Sequence, residues 1–242
     1  MMAAERELVI VSLYPRDMNI YGDRGNLLAL TRRAVAHGFS PRVVDLNVGD
    51  AMPEQVDIVI GGGGQDSGQG RVSVDLERRA EEFTALAADG TPMLVICGLY
   101  QLFGHRFLTH SGDTLKGIGV LDVETRGGAE RMIGNVVVES RDFGEIVGYE
   151  NHSGYTVLGP GSEPLGKVVQ GAGNNPDDGT EGARTGNVLG SYLHGALLPK
   201  NPAISDFLIE TAAVRRYGEF VPRVGEDATA DRARAAAKRR PR

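Results

Sequence analysis

The stretch Pro92-Met-Leu-Val-Ile-Cys-Gly-Leu-Tyr-Gln101 decides how this chain is read. Four consecutive apolar residues, Met93–Ile96, introduced by Thr91-Pro92, predict a strand buried on both faces, as parallel strands are. Gly98 and the helix-compatible Leu99–Gly104 then predict a sharp strand-to-helix turn. Such a turn lifts one side chain off the end of a sheet, beside the first N–H groups of a helix. The side chain lifted here is Cys97, the only cysteine in 242 residues. A helix N-terminus favours a thiolate, which makes Cys97 a candidate nucleophile. Elsewhere in a fold, a lone cysteine is a small buried hydrophobe.

Outward from this turn, strands and helices alternate. Glu7–Tyr14, Arg42–Leu46 and Val56–Ile60 read as strands, the last running into Gly61-Gly62-Gly63-Gly64. Asp23–His37 reads as a helix stopped by Gly38, and Val72–Ala88 as a helix closed by Gly90. Parallel strands need crossovers, so the pattern predicts an α/β fold whose central sheet is mostly parallel, with helices on both faces. Beyond Gly117 the pattern changes to short strand-like runs, Ile118–Glu124, Met132–Glu139, Glu145–Glu150 and Lys167–Gln170. These predict a smaller antiparallel extension. Val188–Leu193 returns to the core, Asn174–Arg184 reads as a mobile polar loop, and Pro202–Tyr217 closes the fold as a helix.

One domain over residues 1–222 fits this length, followed by a basic tail over 223–242. The chain carries a net charge of −6. Within residues 228–242, Arg232, Arg234, Lys238, Arg239, Arg240 and Arg242 against Asp231 sum to +5, which leaves −11 on the rest. That balance argues against a nucleic-acid-binding body. The alanine- and arginine-rich tail shows no apolar face and reads as a solvated, frayed terminus. A single cysteine suits a reducing compartment. Leu8–Tyr14 is too short for a signal core, and no run is long enough to span a bilayer, so a cytoplasmic protein without a transmembrane segment is expected.

In a parallel sheet, ligands gather at the carboxyl ends of the strands. Three such ends carry polar or glycine-rich sequence: Gly61–Asp66, Cys97–Gln101 and His194-Gly195. Cys97 needs a base, and histidine titrates near neutral pH. Of the five histidines, His194 sits at a strand end beside a glycine, whereas His152 falls in the loop Tyr149–Gly154. The glycine run lacks the lysine of a phosphate-binding loop. Its exposed N–H groups suit an oxyanion hole instead, with Gly63 or Gly64 paired with Gly98.

Four motifs now stand in order along the chain: Gly61-Gly-Gly-Gly-Gln-Asp66, Ile96-Cys-Gly-Leu-Tyr-Gln101, Glu150-Asn-His-Ser-Gly-Tyr-Thr156 and Ser191-Tyr-Leu-His-Gly195. Together they resemble the class I glutamine amidotransferases of the cobyric-acid-synthase-like branch. Tyr14-Pro-Arg-Asp-Met-Asn-Ile-Tyr-Gly-Asp-Arg-Gly-Asn26 and Glu130-Arg-Met-Ile-Gly-Asn135 narrow the likeness to the glutaminase subunits of lipid II isoglutaminyl synthases. The resemblance implies that Cys97 attacks the side-chain amide of glutamine and that His194 moves the protons. It implies that Arg131 holds the substrate carboxylate in a bidentate pair, with Gln101, Asn151 and Ser153 lining the same pocket. It also implies a heterodimer with a MurT-like Mur-ligase subunit, which takes the ammonia to amidate the α-carboxylate of D-glutamate on lipid II. This chain shows no ATP-binding motif, so ATP and Mg2+ belong to that partner by the same resemblance, and no metal or cofactor is expected here.

Two positions depart from the wider class. Leu99 stands where many relatives have glycine, which puts the shape of the elbow in question. Ala196 stands where many have a glutamate that orients the histidine. Either His194 works as half of a dyad or the acid comes from elsewhere, and we expect the partner subunit to supply it. Two other readings stand beside this one. The first is a glutaminase serving another acceptor, such as a corrinoid carboxylate; the second is an inactive binding module of the same fold.

Overall fold

The computed structural model describes residues 6–19, 22–64 and 66–239, with the backbone alone at 66–68. Ile20 and Tyr21, Gln65 of the glycine motif, and Arg240–Arg242 of the tail lie outside the described residues. In chain order the first half runs β1 (Glu7–Leu13), α1 (Arg24–Ala36), β2 (Ser40–Leu46), β3 (Ile58–Gly61), α2 (Asp66–Arg78), α3 (Ala80–Ala88), β4 (Met93–Ile96) and α4 (Gly98–Phe103). The second half runs β5 (Arg106–Leu108), β6 (Thr114–Lys116), β7 (Val123–Ser140), β8 (Gly144–Leu158), β9 (Gly166–Gln170), β10 (Thr180–Glu181), β11 (Ala183–Thr185), β12 (Val188–Ser191), α5 (Pro202–Tyr217) and α6 (Ala228–Lys238).

The first sheet has the order β11-β12-β4-β3-β1-β2. Its pairs are parallel except at the β11 edge, where β11 runs antiparallel to β12. All four residues of β4 and of β12 are buried, as expected of central strands covered on both faces. Their carboxyl ends, and those of β1 and β3, point to one edge, where the glycine run, Cys97 and His194 follow the strands. Gly38, at φ 89°, ends α1 in the left-handed conformation that a helix stop requires.

The second sheet, β10-β9-β7-β5-β6 with β8 paired to β7, is larger than the short runs of sequence predict. Ile118–Asp122 is not strand, and β7 runs unbroken from Val123 through the Met132–Glu139 run. With β8 it forms a long hairpin whose register shifts between Gly127 and Met132. The Tyr149–Gly154 segment, expected as a loop, is strand within β8. The expected helix over Val72–Ala88 divides at Arg79 into α2 and α3. Asn174–Arg184 is not a loose loop. Asn174 Oδ1 accepts from Tyr100 Oη at 3.1 Å and from the Gly182 N–H at 3.0 Å, which ties the segment to the core.

The tail also differs from expectation. Residues 228–238 form α6 because alanine and arginine favour helix and Asp227 caps it, accepting the N–H groups of Thr229 and Ala230 at 3.0 Å. Small size hides its apolar face from a hydropathy reading: Ala230 is buried, and Lys238 Nζ reaches Glu145 Oε2 at 2.6 Å at the start of β8.

Candidate active site

Cys97 follows the last residue of β4 with φ 52° and ψ −107°, a conformation that L-residues rarely adopt. Two hydrogen bonds fix it. Its N–H donates to the Ser191 carbonyl at 2.8 Å, and its carbonyl accepts the Gln101 N–H at 3.0 Å, starting α4. Leu99, the departure from the wider class, is fully buried against Gly61, where any Cβ would collide with its methyl group. The elbow therefore accepts leucine because the strand beside it ends in glycine.

His194 arrives from β12. Its N–H donates to the Tyr149 carbonyl at 2.7 Å, the bridge that joins the first sheet to the hairpin. Beyond it, Lys200 Nζ donates to the carbonyls of Gly195 at 2.6 Å and Ala196 at 2.9 Å. The side chain of His194 is 2% exposed and lies with Nδ1 3.6 Å from Asp23 Oδ1. Asp23 occupies the N-cap of α1 yet makes no capping bond. Its Oδ2 accepts the Gly63 N–H at 2.8 Å instead, which aims the carboxylate at the imidazole.

This chain therefore carries an acid of its own beside His194. The reason lies at Ala196, at φ 48°, whose methyl group packs so closely on Gly25 that a Cβ there would lie 2.6 Å away. A small residue at 196 admits the first turn of α1, and that turn brings Asp23.

Burial alone would lower the basicity of His194. The Cys97 sulfur and the Asp23 carboxylate outweigh it and push the pKa up to about 10. The imidazole therefore carries its proton at neutral pH. His152 goes the other way. Burial draws its pKa down to about 3, despite a hydrogen bond from Nδ1 to the Gly154 carbonyl at 2.9 Å, and the nearby His194 and Arg131 act in the same direction. Its ring lies flat on Tyr192, 3.6 Å between centroids. Of the two, His194 is the group that can hold and return a proton. His37 and His105 are committed to Asp206 at 2.9 Å and Asp122 at 2.8 Å.

Three non-glycine residues have positive φ among the described residues: Tyr14, Cys97 and Ala196. They follow β1, β4 and β12, the strands whose outgoing segments carry Asp23, Cys97 and His194. Backbone strain costs of order 1–3 kcal/mol per residue and persists where the surroundings over-determine it, commonly at functional sites.

The glycine run has a role that its sequence does not disclose. A Cβ on Gly62 would lie 2.6 Å from the Met18 carbonyl oxygen, and one on Gly64 2.7 Å from that of Asp17. These glycines let the loop after β1 lie directly on the end of β3. The Gly63 N–H is engaged by Asp23, which corrects its assignment to an oxyanion hole. Gly98 stands at the first turn of α4, close to Gln69 and Met18. Gln101 is buried below the elbow. Its Oε1 accepts from Gln69 Nε2 at 2.8 Å and its Nε2 donates to Tyr192 Oη at 3.1 Å, so both ends of the amide are taken by the protein.

Arg131 lies in the irregular part of β7 and is exposed; its Nε donates to Asn151 Oδ1 at 2.7 Å, so the structure brings these two residues together. Ser153 follows on the same strand, beside buried His152. A cavity of about 570 Å³ is lined by Asp23 together with Met18, Arg24, Asp45 and Gly62, and neither Cys97 nor His194 lines it.

Residues 9–202 match the CobB/CobQ-like glutamine amidotransferase domain. The chain belongs to the CobB/CobQ-like glutamine amidotransferases. Among curated relatives of this family, the subunit GatD of lipid II isoglutaminyl synthase (glutamine-hydrolyzing) from Staphylococcus aureus (strain N315) is 39% identical over 218 residues, 90% of this chain and 89% of that protein. The Streptococcus pneumoniae subunit of the same name is 37% identical over 89% and 84% of the two chains. A probable cobyric acid synthase from Methanothermobacter thermautotrophicus is 32% identical over 62% of this chain but only 32% of its own length. The fold of this amidotransferase is shared with a crystal structure titled a glutamine amidotransferase (TM-score 0.59, 19% identity, 84% of this chain and 99% of that one). It is shared also with a chain of PurLQS from Thermotoga maritima (TM-score 0.56, 19% identity, 85% and 98%). Among the described residues, no helix of this amidotransferase is long and apolar enough to cross a membrane.

Asp23 escapes the sequence reading because it stands at the start of a predicted helix, where an aspartate ordinarily caps the helix. The available signal is its position: an N-cap that follows a strand end lies on the same edge as Cys97 and His194. Gln69 carries no comparable signal, because its partner Gln101 lies 32 residues away in the chain.

Proposed function

We propose that this chain hydrolyses glutamine to glutamate and ammonia through a cysteine thioester and passes the ammonia to a partner ligase. The convergence of Cys97, His194 and Asp23 carries this reading. The Cys97 sulfur attacks the side-chain amide carbon of glutamine, and the carbonyl oxygen becomes negative. With the Gly63 N–H taken by Asp23, the N–H groups of Gly98 and Gly64 receive it. His194 gives its proton to the amide nitrogen, ammonia leaves, and a γ-glutamyl thioester stays on Cys97. Neutral His194 then takes a proton from water, the hydroxide adds to the acyl carbon, and glutamate departs as the sulfur is released. Asp23 holds the imidazole and offsets its positive charge throughout. Arg131, steadied by Asn151, takes the substrate carboxylate in two hydrogen bonds.

The acceptor in this reading is the α-carboxylate of D-glutamate in lipid II, activated with ATP on a MurT-like ligase in a cytoplasmic heterodimer that serves peptidoglycan synthesis. What supports it is the extent of the likeness: the matches to GatD cover most of both chains, while the cobyric acid synthase shares only a third of itself. Freed ammonia in bulk water becomes ammonium and loses its nucleophilicity, so a sheltered transfer to the ligase follows from the chemistry. The test is co-purification from cell extract, then amidation of lipid II with glutamine and ATP by the recovered pair. Amidated lipid II together with glutamate supports the reading, whereas glutamate release coupled to a corrinoid carboxylate would move the acceptor.

A further inference from the structure

We propose that Glu181 is a positioning residue for both Cys97 and His194, acting through Ser191. Glu181 ends β10 in the second sheet, separated only by Gly182 from β11 in the first. Its side chain is fully buried, and a single oxygen does its work. Oε1 accepts the Ser191 hydroxyl at 2.6 Å and the Tyr192 N–H at 3.0 Å. The Ser191 hydroxyl oxygen in turn accepts the Leu193 N–H at 3.0 Å. One carboxylate oxygen therefore fixes the three residues that lead into His194. The same Ser191 offers its carbonyl to the Cys97 N–H at 2.8 Å. Ser191 is thus the hub between nucleophile and base, and Glu181 sets its rotamer.

Burying a carboxyl group here is unfavourable unless its acceptor is needed. The Tyr192 N–H and the Ser191 hydroxyl at the end of β12 are both satisfied by Oε1. The hydrogen bonds of Glu181 go to Ser191 and Tyr192, so the role is geometric. An amide oxygen serves equally well as acceptor, which separates positioning from any charge effect.

The inference rests on the glutaminase reading, and its test keeps the two apart. Glutamine hydrolysis and the rate of Cys97 alkylation by iodoacetamide are measured on the full chain as wild type, Glu181→Ala, Glu181→Gln, Ser191→Ala and the Ala double variant. For Glu181→Ala we expect kcat to fall about 10- to 100-fold with KM within about threefold, and alkylation to slow in parallel. Glu181→Gln recovers most of the lost rate. The double variant loses no more than the worse single one, because both act on one hub. Should Glu181→Ala fail to fold, Ser191→Ala carries the test with the same expected split. Wild-type kcat in that folded variant overturns the proposal. So does a Gln variant as impaired as Ala, or multiplicative losses in the double variant. A wild type that releases no glutamate refutes the glutaminase reading alone, and unchanged alkylation across the series then refutes the positioning role.

Discussion

Replacing Asp23 by asparagine removes one negative charge 3.6 Å from His194 Nδ1 with almost no change in shape. Both side chains are buried, at 4% and 2% exposure, so solvent screens little of the interaction. With an effective dielectric constant of about 20, two unit charges at that separation attract by about 4–5 kcal/mol. That corresponds to roughly three orders of magnitude in any step whose transition state carries an imidazolium. The amide oxygen can still accept the Gly63 N–H, which turns the NH2 group towards Nδ1 and favours the wrong tautomer. We therefore expect kcat for glutamine hydrolysis to fall about 100- to 1,000-fold, with KM changed little. The assay is glutamate release by the free chain and by its complex with the ligase. A loss of less than about threefold in both would refute Asp23 as the partner of His194. An effect in the free chain that vanishes in the complex would return the acid to the partner subunit.

His194→Ala should cost the roughly 100- to 10,000-fold typical of an acid–base group, and His152→Ala clearly less, because His152 is neutral and stacked; steady-state kinetics of the two would show a reversal if the base is misassigned. Arg131→Lys keeps the charge but loses the planar fork, so KM for glutamine should rise more than kcat falls, and an unchanged KM would remove Arg131 from carboxylate binding. Burial raises the Glu181 carboxyl from 4.5 to about 7, so the folded state binds its proton more tightly than the unfolded state. The stability this contributes is fully present below about pH 4.5 and is lost as pH rises through about 7. Relative to wild type, Glu181→Gln should therefore gain about 3 kcal/mol between pH 4.5 and pH 8 in urea unfolding, and a pH-independent difference would contradict it.

Much of this site is legible in sequence where geometry is local. The run Met93–Ile96 before Cys97-Gly98 specifies a strand, an elbow and a helix start without help from distant residues, and Ser191–Gly195 does the same for the base. The hairpin is harder. Glycines and charged residues interrupt the alternation of β7, and the irregular stretch from Gly127 to Met132 shifts its register, so a single strand reads as two short ones. The glycine run shows that a turn is tight without showing what fills it; the answer, the loop carrying Met18, is set by packing between segments 40 residues apart. The tail is misread because alanine scores as weakly apolar, yet Ala230 is small enough to be buried on docking. Asp23 and Glu181 depend on which strands become neighbours, and hydrophobic periodicity carries no information about that order.

The central claim is that Cys97 forms a covalent γ-glutamyl bond with His194 as its proton partner. Intact-mass measurement after exposure to 6-diazo-5-oxo-norleucine, followed by peptide mapping, tests it most directly. One adduct per chain, on Cys97 and absent in Cys97→Ser, with labelling slowed in His194→Ala, is the predicted result. An adduct elsewhere, or a Cys97→Ser chain that still turns over glutamine at a comparable rate, would contradict it.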